Sequence, residues 1–140
     1  MFEKILVPVD GSETMERIVK LACDVAKMLG GTLTLIHVVA LPIPVDASMS
    51  FDPTPLEQYG KKTLETAQKL AKDRGCNADT IQEVNYGNAG HMIARVAWDK
   101  GFSLIVIHAR GHSKIENLLI GSVCHTVAHR ASCSVLIVRP

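Results

Sequence analysis

The sequence predicts an α/β fold: an open, parallel five-stranded sheet with helices on both faces, in a single domain spanning residues 1–140. Three observations predict it. Short apolar runs alternate with longer stretches whose apolar residues recur at helical spacing, giving β-α-β-α-β-α-β-α-β with no internal repeat and no domain break. Polar, glycine-bearing loops follow the first and fourth of the short runs, at Asp10-Gly11-Ser12 and at 109–114. Nearly half the residues are hydrophobic and few are aromatic, so the core is large, aliphatic and alanine-rich.

Residues 4–9, KILVPV, read as a strand buried on both faces. Asp10-Gly11-Ser12 turns the chain, with Ser12 as the expected helix N-cap. Ile18, Leu21, Ala22, Val25, Met28 and Leu29 then follow helical spacing, and Gly30-Gly31 ends that helix. Residues 32–39 form a second strand, rich in branched side chains. Residues 40–54 carry Pro42, Pro44 and Pro53 and no period, so they read as a long loop, of the kind that is commonly functional. A second helix is expected over 55–74, with Leu56, Gly60, Thr63, Ala67, Leu70 and Ala71 as its inner stripe.

Residues 80–84 hold Gln82 and Glu83, and that polarity predicts a strand at a sheet edge. Tyr86-Gly87-Asn88 turns the chain, with Asn88 as N-cap of a helix over 89–100 whose inner residues are Ile93, Val96 and Ala97. Leu104, Ile105, Val106 and Ile107 open a fully apolar strand that ends at His108. A polar loop follows, then a helix expected from about 115 to 131 that carries Gly121-Ser122, and a last strand over 135–138.

Several function classes are excluded or disfavoured at this stage. The formal net charge is +1, which disfavours a nucleic-acid coating mode. Cys23, Cys76, Cys124 and Cys133 form no C-x-x-C pair, so neither a zinc ribbon nor a thioredoxin-type site is indicated. They read as small buried hydrophobes in a reducing cytoplasm. Glu3 and Asp10 argue against a signal peptide, and the longest apolar stretch is too short and too broken by His37, Pro42 and Pro44 to span a membrane. There is no G-x-x-x-x-G-K-[ST] and no G-x-G-x-x-G after a strand, so neither a P-loop nor a dinucleotide fingerprint is present.

What remains is an anion site. The loop at 109–114 follows a buried strand and precedes a helix, where ligands bind in open α/β sheets. Gly111 and Gly121 allow close approach of backbone to a ligand, and Arg110 and Lys114 add positive charge. Alternatives stand beside each candidate. Asp10 after a strand is often only a turn residue. Ser122 is small enough to be there for packing, although glycine beside it, where a helix would prefer alanine, favours function. His125 and His129 sit at i, i+4, but with no third ligand in reach a solvated helix face is the better reading. His37, His91 and His108 read as structural, whereas His112 lies in the candidate phosphate loop.

From KILVPVDGS, through LTLIHV, to RGHSKIENLLIGS and the SVLIV ending, the chain resembles a universal stress protein over essentially its whole length. The resemblance implies strand order 3-2-1-4-5. The nucleotide-binding branch of that family carries Gly-x-x-Gly, nine residues, then Gly-Ser or Gly-Thr. Gly111, nine intervening residues and Gly121-Ser122 match its later parts, and His108 stands where the first glycine would be. The resemblance further implies that Pro8, Val9 and Asp10 contact ribose and adenine and that Val38 offers its backbone to the base. Gly111, Gly121, Ser122 and Val123 would receive the phosphates, with His108 and His112 beside them. A glycine at position 108 would imply a left-handed backbone or close packing against the ligand.

The ligand implied is ATP or AMP, with magnesium left open, and the role is regulatory. ATP hydrolysis is expected to be slow at most, since no general base stands out. Two rivals stand: a family member that binds no nucleotide and acts through dimer and partner surfaces, and a weak ATPase or nucleotidyl transferase. A homodimer through the last strand is implied, with no nucleic-acid partner, no membrane and a cytoplasmic location.

Overall fold

The computed structural model describes residues 1–110 and 120–140. In chain order it contains β1 (Lys4–Pro8), α1 (Met15–Leu29), β2 (Thr32–Leu41), α2 (Thr54–Asp73), β3 (Ala78–Tyr86), α3 (Ala89–Asp99), β4 (Leu104–His108), α4 (Ser122–Arg130) and β5 (Ser134–Val138). All four strand pairings are parallel, and the sheet order is β3-β2-β1-β4-β5, as expected.

Alternation along the central strands builds a core on each face, because successive side chains of a strand point to opposite sides. Ile5, Val7, Leu33, Leu35 and Val106 pack with α1 and α2 on one face. Leu6, Ile36, Ile105 and Ile107 pack with α3 and α4 on the other. Ile5, Leu6 and Ile105 are wholly inaccessible to solvent. Truncating such a residue, for example Ile105→Ala, costs about 2–5 kcal/mol through lost burial and the cavity left behind.

Local chemistry sets the helix ends, and here several expectations need correction. Ser12 is not the N-cap of α1. Thr14 occupies that position, without a side-chain cap bond, while Ser12 receives Met15 N–H on its carbonyl. Ser12 is held instead by the Asp10 carboxylate, so its place belongs to the turn. Gly30 ends α1 in the left-handed region at φ 67°, donating its N–H to Ala26. Met28 is exposed because it stands off the buried stripe of Ile18, Val19, Ala22, Cys23 and Ala26. Leu56 likewise leaves the inner stripe of α2 and is half exposed. Asn88 does cap α3, its Oδ1 accepting from Gly90 N–H at 2.7 Å.

β2 and β3 run longer than their apolar patterns. Ala40 pairs with Asn85 and Leu41 with Tyr86, since a backbone ladder needs no apolar side chains and stops only before Pro42. β3 lies at a sheet edge and is mostly half exposed, consistent with its polar sequence. α4 spans Ser122–Arg130, and Gly121 precedes it instead of sitting inside a helix. Residues 111–119, which hold Gly111, His112, Lys114 and the expected start of that helix, lie outside the described residues. Among the described residues, no helix is long and apolar enough to cross a membrane.

Candidate functional site

The sheet opens between β1 and β4. Those strands pair through Ile5–Leu104 and Leu6–Ile105 and no further. On the outer sides pairing continues, to Pro8–Ile36 between β1 and β2 and to His108–Val138 between β4 and β5. Pro8 has no N–H to extend a ladder, and the connections leave the two strands in opposite directions. The result is a cleft of about 370 Å³ at the carboxyl ends of the strands. That is within the range of small-molecule sites.

One wall is the Asp10 turn. Asp10 Oδ1 accepts the Ser12 N–H at 2.9 Å, and Gly11 takes φ +77°, which a side chain would resist. Tyr59 of α2 donates its hydroxyl to the Asp10 carbonyl at 3.0 Å, tying the turn to the helix. The floor and back are apolar, formed by Ile36, Val38, Ile93 and Ile107.

The opposite wall is the N-terminus of α4. Gly121 is extended, at φ −71° and ψ 166°, and donates its N–H to the Ala109 carbonyl at 2.6 Å. His125 N–H is the first to find an intrahelical acceptor, the Gly121 carbonyl at 2.9 Å. The amides of Ser122, Val123 and Cys124 therefore begin the helix without one. Among the described residues no side chain caps this end, and no acidic residue stands in the first turn. Backbone donors and the positive end of the helix dipole together favour an anion there.

His108 closes the base of the cleft. Its backbone is regular β-strand, and among the described residues no residue other than glycine has positive φ. The left-handed conformation implied for this position is therefore absent, and His108 carries no such strain. Its Nδ1 lies 2.7 Å from the Arg110 carbonyl oxygen and 3.2 Å from the Arg110 amide nitrogen. The shorter contact requires the proton on Nδ1. Nε2 is buried and has no hydrogen-bond partner among the described residues, as is also true of Arg110 Nε.

Pro8, Val9, Asp10, Val38, His108, Gly121, Ser122 and Val123 all line this one cleft, as do His37, Leu56, Tyr59 and Arg110. Gly111 and His112 lie outside the described residues. His37 was expected to be structural, yet it reaches the cleft, with its ring edge-on to Tyr59 at 6.0 Å. Tyr59 gave no sign of its role in the periodic pattern. Its neighbour Gly60 did: a Cβ there would lie 2.6 Å from His37 Nδ1, so only glycine lets α2 approach β2 this closely. His125 and His129 stack with ring centroids 6.4 Å apart. Among the described residues, no group of three or more His, Cys, Asp and Glu side chains is placed to hold a metal ion.

Comparison with known proteins agrees with this architecture. The profile of the Universal stress protein family matches residues 1–139. Universal stress protein YxiE of Bacillus subtilis is 33% identical over 150 residues, which cover 99% of this chain and 100% of that one. The structure of universal stress protein UspA from Lactobacillus plantarum has the same fold, with a TM-score of 0.80 at 24% identity over 99% of this chain and 98% of that one. A universal stress protein solved in complex with cAMP has a TM-score of 0.71 at 25% identity, covering 99% of this chain and 97% of that one.

Proposed function

This chain belongs to the universal stress protein family, and we propose that it binds an adenine nucleotide, ATP or AMP, in the cleft between β1 and β4. The observation that carries the proposal is the uncapped first turn of α4 opening onto the same cleft as Asp10. The helix end supplies backbone donors for phosphate oxygens. Asp10, an acceptor across the cleft, suits ribose hydroxyls, and the apolar floor with Val38 suits the base. The cAMP complex of a relative supports a ligand of the adenine class.

Binding in this reading is regulatory, with nucleotide occupancy changing which partner the protein meets. Asp10 is the one carboxylate among the described residues lining the cleft, and in this reading any hydrolysis is slow. We further propose a cytoplasmic homodimer through β5, which lies at the other edge of the sheet with Leu136 exposed.

The test is to denature protein purified without added ligand and look for released adenine nucleotide, then to titrate stripped protein with ATP and AMP by calorimetry. Released nucleotide, or saturable heat with either, is the expected result. Neither release nor heat would favour the second reading, a family member without nucleotide, to which His108 at the position of a motif glycine gives specific support.

A further inference from the structure

Cys23 of α1 is fully buried, and Cys76, just beyond α2, packs half-buried against the same core cluster. The Cys76 thiol lies near enough to help raise the Cys23 thiol. The segments that carry them are clamped on either side. Arg74 forks onto Asp24, with Nε–Oδ1 at 3.1 Å and Nη2–Oδ2 at 2.8 Å. Lys27 donates to the Arg74 carbonyl, and Cys76 N–H donates to Ala71 at 2.9 Å. Asp24 adjoins Cys23 and Arg74 stands two residues before Cys76, so these bonds hold the two cysteine-bearing segments together over one core cluster.

We propose that Cys23 and Cys76 are a redox-modification site that closes to a reversible intramolecular disulfide on exposure to a hydroperoxide. In the first step the half-exposed Cys76 sulfur attacks the peroxide. An S–O bond forms, the O–O bond breaks, and an alcohol or water leaves, giving a sulfenic acid. In the second step the Cys23 sulfur attacks Cys76 Sγ. The S–S bond forms, the S–O bond breaks, and the departing hydroxide takes the Cys23 proton as water. The thiol pair loses two electrons and the peroxide gains them. The disulfide brings the sulfurs to about 2 Å. Burial and the nearby Cys76 thiol push the Cys23 thiol up to about 12, so the second step is the slower one. The bond joins α1, whose Met15 and Ile18 line the cleft, to the corner between α2 and β3.

The experiment treats reduced, full-length protein with hydrogen peroxide, then with dimedone and a thiol alkylator, and maps the peptides by mass spectrometry. In wild type the free thiols should fall from four to two per chain, with a Cys23–Cys76 linked peptide that dithiothreitol dissolves. In Cys23→Ala the linked peptide should vanish and a dimedone adduct should accumulate on Cys76. Cys76→Ser should leave neither product. A wild-type dimedone adduct on Cys76 that persists without cross-linking would overturn the proposal. So would a first disulfide that involves Cys133, and both are read on the unmutated chain.

Discussion

Gly121 donates its backbone N–H to the Ala109 carbonyl across 2.6 Å, and so fastens the start of α4 to the end of β4. A Cβ on Gly121 would lie 3.2 Å from that same oxygen, a tight contact but not an impossible one. The extended backbone there suits any residue. Gly121→Val is therefore expected to fold, with a stability loss of about 1 kcal/mol from local strain. It should nonetheless abolish nucleotide binding, because its branched side chain stands beside the open amides of α4. Urea unfolding checks the first expectation and calorimetry the second. Unchanged affinity would remove Gly121 from the site.

Much of this geometry was legible in the sequence, but for reasons that differ by residue. Strand identity followed from runs such as Leu104 to Ile107, where burial on both faces leaves no polar residue. The edge position of β3 followed from Gln82 and Glu83. Gly121 was expected inside the helix but precedes it, because a helical period in sequence does not say where the first turn starts. Tyr59 and His37 were not legible at all. Their meeting depends on how closely α2 packs on β2, a tertiary distance set by Gly60. Of the two readings of position 108, a left-handed backbone or close packing against the ligand, the strand pairing with Val138 removes the first.

His108 supplies the second prediction. With the Nδ1 proton committed to the Arg110 carbonyl, a neutral ring has only a lone pair at Nε2. That is unfavourable near phosphate, and the ring also takes up room in the cleft. His108→Gly should therefore bind ATP more tightly than wild type, measured by calorimetry. No strain is relieved by this change, and glycine in a strand should lower stability by about 1 kcal/mol. Weaker binding of the glycine variant would make His108 a ligand contact.

Assembly gives a third. β5 pairs with β4 on one side only, and Leu136 is 39% exposed while Val135 and Ile137 are half-buried. An apolar edge of this kind invites a second copy of itself about a twofold axis. Sedimentation velocity should show a dimer for wild type and a monomer for Leu136→Lys, since an unpaired ammonium in an apolar interface is costly. A wild-type monomer at high concentration would contradict the β5 interface.

Cys23 gives an alkaline signature that is independent of any ligand. Burial, aided by the neighbouring Cys76 thiol, raises its thiol from 9.0 in the ordinary range to about 12 in the fold. Below a pH of about 8 the thiol is protonated in both the folded and unfolded chain, so it contributes its full share of stability. Between the two values the unfolded chain has lost the proton and the folded chain has kept it. The unfolded state then binds fewer protons, and stability must fall as pH rises. At a pH of about 10 the loss is roughly 1 kcal/mol, and it grows as pH approaches the folded value. Burial also raises Cys124 and Cys133, so the total slope is shared. The part belonging to Cys23 is isolated by comparison with Cys23→Ala, measured by urea unfolding in a reducing buffer from pH about 7 to about 10.5. The variant should be less steeply destabilised over that range, its curve drawing closer to wild type as pH rises. Parallel curves would mean that the Cys23 thiol ionises as readily inside the fold as outside it.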